Sequence, residues 1–148
     1  MRKFGPPFYA QELPDSCLPA CLRMVLAARG QFLTEARLRK LCRYRPFSGA
    51  LSTDVVAAAQ ALGFTDTEET QLLRLPDLRD EIGTGAYPIV GVSLRRLNGM
   101  AGDHAQVVVE VTSSFVRVYD PLLGRRRLTH STFEAAWKDV GFMTILVK

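Results

Sequence analysis

The chain has 148 residues, 47% of them hydrophobic and 23% charged, and carries a formal net charge of +4 at pH 7. A chain of this length buries roughly two-thirds of its unfolded surface without disulfides, and we expect residues 1–148 to form one domain. No run approaches the ~18 apolar residues of a membrane helix, so we expect no membrane segment. The basic charge is mild and no nucleic-acid-binding motif accompanies it, so we expect no nucleic-acid partner.

Helical periodicity dominates the first half of the chain. Apolar residues recur three or four positions apart in four segments, and the predicted helices cover residues 16–29, 35–42, 52–63 and 76–82. The first helix ends at Gly30, a residue type that is common just beyond a helix. Its wide apolar surface predicts that this helix is central and largely buried.

The hydrophobic period changes to two in the second half, which is typical of strands. The predicted strands cover residues 87–94, 104–111, 115–120 and 142–148, and one more helix covers residues 131–140. The segment that begins with Asp120 and Pro121 is predicted to be a turn. Helices followed by strands indicate an α+β fold, with the first helix packed on a C-terminal antiparallel sheet.

The three cysteines cannot all pair within one chain, and their spacing fits no disulfide framework. The start of the sequence has two basic residues followed by Gly5 and two prolines instead of an apolar run, so it is no signal peptide. We therefore expect a cytoplasmic protein with free thiols. A zinc site from Cys17, Cys21 and His104 is disfavoured because no second Cys or His pair stands nearby, and we expect neither a metal nor a cofactor.

Cys17 lies where the first helix is expected to begin. Backbone N–H groups without partners and the positive end of the helix dipole favour a thiolate at such a position. Cys21 and Cys42 fall inside helical patterns, where a free cysteine behaves as a small core hydrophobe. Taken alone, Cys17 fits a core thiol better than a nucleophile, and the polar residues elsewhere in the chain decide between the two.

His104 begins a predicted strand directly after a Gly-Asp turn, so its ring is held on a rigid element, as a general base requires. Asp120 ends the next strand, and the start of one antiparallel strand lies beside the end of its neighbour. The carboxylate can then orient the imidazole. Gln11, six residues before Cys17 in a loop, can donate to an oxyanion together with the Cys17 backbone N–H.

The order Gln, Cys, His, Asp resembles that of the papain-like cysteine peptidases. The chain looks most like the bacteriocin-processing branch, the double-glycine-leader peptidases that form N-terminal domains of peptide-exporting ABC transporters. The resemblance is carried by Gln11-x5-Cys17, PACLRMVLAARG, GDHAQVVVEV and VYDPLLGRRRLTHSTFEAAW, and it extends over residues 8–147. It implies a papain-like fold in which Phe133 and Trp137 face inward from the last helix.

The resemblance also implies a role for each residue of this set. The implied roles are nucleophile for Cys17, base and acid for His104, orienting carboxylate for Asp120 and oxyanion donor for Gln11. Two positions depart from the family pattern, because Leu18 replaces a usual Gly and Ser16 stands where an Asp is usual. The Leu18 side chain is expected to crowd the substrate backbone, and Leu18 and Asp103 are the predicted substrate-binding residues.

Cleavage of a peptide bond after Gly-Gly-type leader sequences is the leading functional hypothesis. The expected partners are a peptide or protein substrate and, because no transporter sequence follows within the chain, a transporter or other partner protein encoded separately. Two alternatives remain open: a papain-like deamidase or acyltransferase of the toxin or effector type, and a non-catalytic peptide-binding domain. Retention of Cys, His, Asp and Gln together argues against the binding domain, which needs no Cys–His pair.

Overall fold

The computed structural model describes residues 5–71 and 74–148. The first four residues, on which the signal-peptide prediction partly depends, lie outside this range, as do residues 72–73. The described helices are α1 Cys17–Ala28, α2 Glu35–Leu41, α3 Ser52–Ala61, α4 Leu75–Gly83, α5 Leu94–Asn98 and α6 His130–Lys138. The described strands are β1 Glu68–Thr70, β2 Ile89–Ser93, β3 Asp103–Val111, β4 Phe115–Asp120, β5 Gly124–Thr129 and β6 Thr144–Leu146.

The six described strands form one antiparallel sheet in the order β1-β6-β2-β3-β4-β5. Strand β3 is the longest, with nine residues, and it pairs with β2 on one side and β4 on the other. Helix α1 packs against β3. The predicted arrangement, a first helix packed on an antiparallel sheet formed mainly by later residues, is confirmed. This packing brings α1, which begins at Cys17, against β3, which contains His104.

Helix α1 is largely buried, as its wide apolar surface predicts. Leu22, Met24 and Leu26 are fully inaccessible to solvent. The chain leaves the helix through Gly30, whose φ of 83° is a left-handed conformation that glycine adopts without steric cost. The start of α1 is therefore held by a rigid, packed element, so a side chain at its first residue has a defined position.

Helix α6 closes the core from the side of β2. Phe133 and Trp137 are buried on this helix, which confirms the inward orientation implied by the family resemblance. The Trp137 ring lies 5.5 Å from the ring of Phe133 and 5.1 Å from that of Phe142, in the second case edge to face. These aromatic contacts fix the turn that leads from α6 into β6.

Three elements were not predicted, and the predicted bounds of several others differ by one or two residues. β1, α5 and β5 were not predicted from periodicity because they are short or polar, with sequences EET, LRRLN and GRRRLT. The last strand is shorter than predicted and begins at Thr144. Its predicted first residue, Phe142, instead has a φ of 59° and donates its backbone N–H to the Trp137 carbonyl, so it belongs to the turn after α6.

Candidate active site

Cys17 is the first residue of α1 and is half-buried. The preceding residue, Ser16, is fully buried, but its side chain makes no capping hydrogen bond to the first turn of the helix. The Ser16 hydroxyl instead lies 3.1 Å from the Leu13 carbonyl and 3.2 Å from Glu35 Oε1. The Ser16 side chain therefore leaves the N–H groups at this helix end unoccupied, where they can contribute to binding an anion.

His104 is the second residue of β3 and pairs with Val92 of β2. Its ring is buried, and Nε2 lies 2.7 Å from Oδ1 of Asp120. Because Nε2 is engaged by the carboxylate, Nδ1 is the ring nitrogen that remains for the Cys17 side chain. The structure therefore brings together the three residues Cys17, His104 and Asp120 in the order that a Cys–His–carboxylate triad requires.

The surroundings of the His104 ring favour its protonated form. Burial alone would lower the pKa of His104, but the hydrogen bonds and negative charges of Asp120 and Cys17 outweigh burial and raise the pKa to about 9. The Asp120 carboxyl responds in the opposite direction. Burial alone would raise its pKa, but the hydrogen bond and positive charge of His104, with hydrogen bonds from Gln106 and Leu123, hold the pKa below its usual value.

The carboxylate of Asp120 is fully buried and hydrogen-bonded on both oxygens. Oδ1 accepts the backbone N–H groups of Leu122 at 2.9 Å and Leu123 at 2.8 Å, in addition to the imidazole. Oδ2 accepts a hydrogen bond of 2.7 Å from Nε2 of Gln106. The turn after β4 and the Gln106 side chain together fix the carboxylate that holds the imidazole.

Gln106 was not among the residues predicted for the site. Val107 pairs with Tyr119, and continuing this register by one residue brings Gln106 opposite Asp120. Because side chains alternate along a strand, His104 and Gln106 share one face of β3. The signal available in the sequence was a single amide within the otherwise apolar run that follows His104.

Gln11 lies in the loop before α1, and its backbone N–H donates to the Pro121 carbonyl at 2.9 Å. Its side-chain Nε2 donates to two carbonyls of the same loop, that of Leu13 at 2.8 Å and that of Pro14 at 3.0 Å. Its Oε1 is buried and has no hydrogen-bond partner among the described residues. Both amide protons are therefore engaged, and donation to an oxyanion requires one of these two hydrogen bonds to open.

Cys17 and His104 line the same cleft, which has a volume of about 440 Å³. The predicted substrate-binding residues Leu18 and Asp103 line it as well, whereas Gln11 and Asp120 do not. Asp120 contacts the imidazole inside the protein, on the side of the ring that faces away from the cleft. The exposed side of the Cys–His pair is thus the side from which a substrate would approach.

The cleft is acidic although the chain as a whole is basic. Asp15, Glu69 and Asp103 line it, and none of its lining residues within the described ranges is Lys or Arg. Two small residues, Gly91 and Ala105, also face the cleft beside His104. A side chain at Gly91 would not fit, because an added Cβ would lie 2.8 Å from Cγ1 of Val140.

The other two cysteines differ from Cys17 in burial, as predicted. Cys21 and Cys42 are both fully buried. Burial raises the pKa of Cys21 well above its usual value, and the charges of Cys17 and Asp120 add to this increase. Burial, together with the charge of Asp54, raises the pKa of Cys42 to about 12. Over residues 5–71 and 74–148, no group of three or more His, Cys, Asp or Glu residues could hold a metal ion.

The sequence profile of the Peptidase C39 family matches residues 6–147. The chain belongs to this family. The family is one of cysteine peptidases, and its match covers every residue of the candidate site. A comparison with curated proteins found no match.

Solved structures of C39 peptidases share the fold of this chain. The peptidase domain of Streptococcus ComA, a bifunctional ABC transporter involved in a quorum-sensing pathway, is 23% identical with a TM-score of 0.72, covering 95% of this chain and 96% of that one. A C39-like peptidase from Bacillus anthracis is 16% identical with a TM-score of 0.78, covering 96% and 94%. A double-glycine-motif protease from an AMS/PCAT transporter, solved in complex with the leader peptide, is 17% identical with a TM-score of 0.72, covering 97% and 95%.

These matches confirm the predicted α+β, papain-like fold and the predicted family. The first of these is the peptidase domain of an ABC transporter, and the third comes from an AMS/PCAT transporter. Among the described residues of this chain, no helix has the length and apolar character needed to cross a membrane.

Proposed function

We propose that this C39 family member is a thiol peptidase, formed as one domain over residues 1–148, in which Cys17 attacks the carbonyl carbon of a peptide bond. The observation that supports the proposal most directly is the placement of Cys17 and His104 in one cleft, with Nε2 of His104 bonded to Asp120. A binding domain would not need this arrangement.

The proposed reaction proceeds in two stages. Nδ1 of His104 takes the proton of the Cys17 thiol, and Sγ bonds to the carbonyl carbon. The C–N bond then breaks as the imidazolium gives its proton to the leaving amine, which leaves a thioester on Cys17. Water attacks the thioester, His104 takes its proton, and the acid product leaves as the thiol regains that proton.

The charge on the developing oxyanion needs hydrogen-bond donors. The backbone N–H of Cys17, at the N-terminus of α1, is one proposed donor. The Gln11 amide is the second, after one of its two bonds to the loop carbonyls opens. Because Asp120 and Cys17 raise the pKa of His104 to about 9, the proton that the imidazole takes from the Cys17 thiol stays on the ring at neutral pH until the leaving amine receives it.

The proposed substrate is a peptide cut after a Gly-Gly-type sequence, as in the double-glycine-motif protease whose structure contains a leader peptide. Leu18 and Asp103 are proposed to contact the peptide from the walls of the cleft. The proposed site of action is the cytoplasm, with any transporter partner as a separate chain. The three carboxylates of the cleft favour a basic side chain near the scissile bond.

Replacement of Cys17 by Ala or Ser tests this proposal. We expect loss of cleavage of a Gly-Gly peptide by about a thousandfold or more, because the attacking sulfur is removed. Cleavage is followed by mass spectrometry of the products, with the peptide prepared in versions that place Lys or Glu beside the Gly-Gly pair. The Lys version is expected to be cut faster.

The matched control is Cys42→Ala, which removes a buried thiol outside the cleft and is expected to retain cleavage. Full activity of the Cys17→Ala variant would refute the peptidase. If the parent protein releases ammonia from glutamine substrates and leaves peptide bonds intact, its activity is that of a deamidase that uses the same three residues and not that of a peptidase.

A further inference from the structure

Glu35 is a fully buried carboxylate outside the cleft. It is the first residue of α2, and its Oε1 accepts a hydrogen bond of 2.9 Å from the backbone N–H of Glu12 and lies 3.2 Å from the Ser16 hydroxyl. Its Oε2 pairs with the guanidinium of Arg39, one turn later in the same helix. A buried charge destabilises a protein unless hydrogen bonds and opposite charges compensate for the loss of water around it. The residues that compensate Glu35 therefore show which parts of the fold this charge connects.

The network reaches both ends of one short loop. Glu12 directly follows Gln11, and Ser16 directly precedes Cys17. A single carboxylate oxygen, Oε1 of Glu35, thus contacts the loop one residue after the proposed oxyanion donor and one residue before the proposed nucleophile.

Other contacts from α2 and the segment after it hold the same loop. Arg39 also bonds to Oε1 of Glu12 at 3.2 Å. The Tyr44 hydroxyl donates to Oδ1 of Asp15. The loop is therefore attached at three of its residues to Glu35, Arg39 and Tyr44, none of which lines the cleft, and Glu35 is the buried centre of that attachment.

We propose that Glu35 is a positioning residue of the active site: by fixing the loop between Gln11 and Cys17, it holds the nucleophile and the oxyanion donor in line with His104. This inference rests on the proposed peptidase activity. It assigns to α2, which carries none of the reacting groups, control over their alignment, and misalignment of about 1 Å is enough to cost roughly a hundredfold in rate.

The structure suggests a rescue experiment for this role. Because the Ser16 hydroxyl lies 3.2 Å from Oε1 of Glu35, a carboxylate placed at position 16 would occupy nearly the same space. The Glu35→Ala variant is expected to lose about 100-fold in kcat with KM changed by less than about threefold, since alignment affects the transition state more than binding. The double variant Glu35→Ala with Ser16→Asp is expected to recover at least a tenth of the parent kcat.

Two controls separate positioning from general stability. Glu81→Ala removes an ion pair of 3.2 Å with Lys148, far from the loop in sequence, and is expected to leave kcat unchanged. The melting temperature of every variant is measured beside its kinetics. If Glu35→Ala does not fold, Glu35→Gln, which keeps the side-chain shape without the charge, takes its place and is expected to lose about tenfold in kcat.

A second readout does not depend on peptide cleavage. The rate of alkylation of Cys17 by iodoacetamide is measured against pH for the parent, the Glu35 variant and the double variant. We expect the Glu35 variant to alkylate more slowly than the parent and with a different dependence on pH. The added Ser16→Asp change is expected to restore the parent rate and pH dependence. Parent-like kcat and alkylation in a folded Glu35 variant would overturn the inference, as would recovery of the melting temperature without recovery of kcat. A parent protein that alkylates normally but cuts no peptide would refute the proposed function and leave the Glu35 inference to be decided by alkylation.

Discussion

At the scale of single residues, the His104–Asp120 pair combines structural and chemical roles. The carboxylate receives hydrogen bonds from the imidazole, from two backbone N–H groups and from Gln106, which compensate its complete burial. The same contacts hold the imidazole with Nδ1 toward Cys17. The groups proposed to perform the chemistry are thus positioned by hydrogen bonds that also stabilise the folded state.

This pair predicts a pH dependence of stability. The pKa of His104 in the folded protein is about 9, above its ordinary value of 6.5. The contribution of protonated His104 to the free energy of unfolding is therefore complete below pH 6.5 and is lost as the pH rises toward 9. The loss amounts to about 3 kcal/mol of unfolding free energy. Asp120, whose pKa is lowered, contributes above its ordinary pKa, and that contribution is lost as the pH falls through the lowered value.

Urea unfolding at pH 6.5 and pH 9 measures this change. The Asp120→Asn variant serves as the comparison, because it removes the charge of Asp120, the larger of the two influences that raise the pKa of His104, and should weaken the dependence of stability on pH between these two values. An identical fall in stability for the parent and the variant would show that His104 is not the group responsible.

At the scale of elements, the close approach of β2 to the turn after α6 depends on a glycine. Gly91 of β2 accepts no Cβ, since the added atom would lie 2.8 Å from Cγ1 of Val140 and 3.1 Å from Cε of Met143. The Gly91 N–H also donates to the Met143 carbonyl at 3.0 Å. This contact places the turn after α6 in the wall of the cleft, which Gly91, Val140 and Met143 all line.

We expect Gly91→Ala to lower the unfolding free energy by about 1–3 kcal/mol, because a methyl group is forced into occupied space. The matched control is Gly83→Ala at the end of α4, where an added Cβ meets nothing within 4 Å and φ is not positive. This control is expected to be neutral or stabilising by about 0.5–1 kcal/mol. Equal unfolding free energies for the two variants would contradict the packing described here.

The elements that could be predicted from sequence are those with strong periodicity or a clear stop signal. Helix α1 and strands β3 and β4 have long apolar patterns, and their predicted ends differ from the observed ones by one residue at most. Strand β5 has no apolar alternation and exists because it pairs with β4 along its whole length. Its pairing is a tertiary property, which a local pattern does not contain.

The same distinction applies to the site. Cys17, His104 and Asp120 could be predicted because each stands at the end of an element, and antiparallel pairing brings two of those ends together. The contacts of Glu35 with Glu12 and Ser16 could not, because they depend on how α2 packs beside the loop before α1. The engagement of the Gln11 amide by its own loop is likewise visible only in three dimensions.

At the scale of the whole molecule, the fold joins the two halves of the chain at one cleft. Helix α1 supplies a sulfur from the first half, and β3, on which α1 packs, supplies an imidazole from the second. The cleft between them is acidic in a chain of net charge +4, so its charge is a local property and not a consequence of composition. In the proposed function, this packing makes Cys17 a nucleophile activated by His104.

Covalent labelling tests that claim most directly. The parent protein and the His104→Ala variant are treated with a Gly-Gly chloromethyl ketone, and the modified cysteine and its rate are determined by peptide mass spectrometry. We expect an adduct on Cys17 well before Cys21 or Cys42, at a rate that falls by about a hundredfold or more without the imidazole. Labelling of Cys17 at the same rate in both proteins, or no adduct on Cys17 at all, would contradict it.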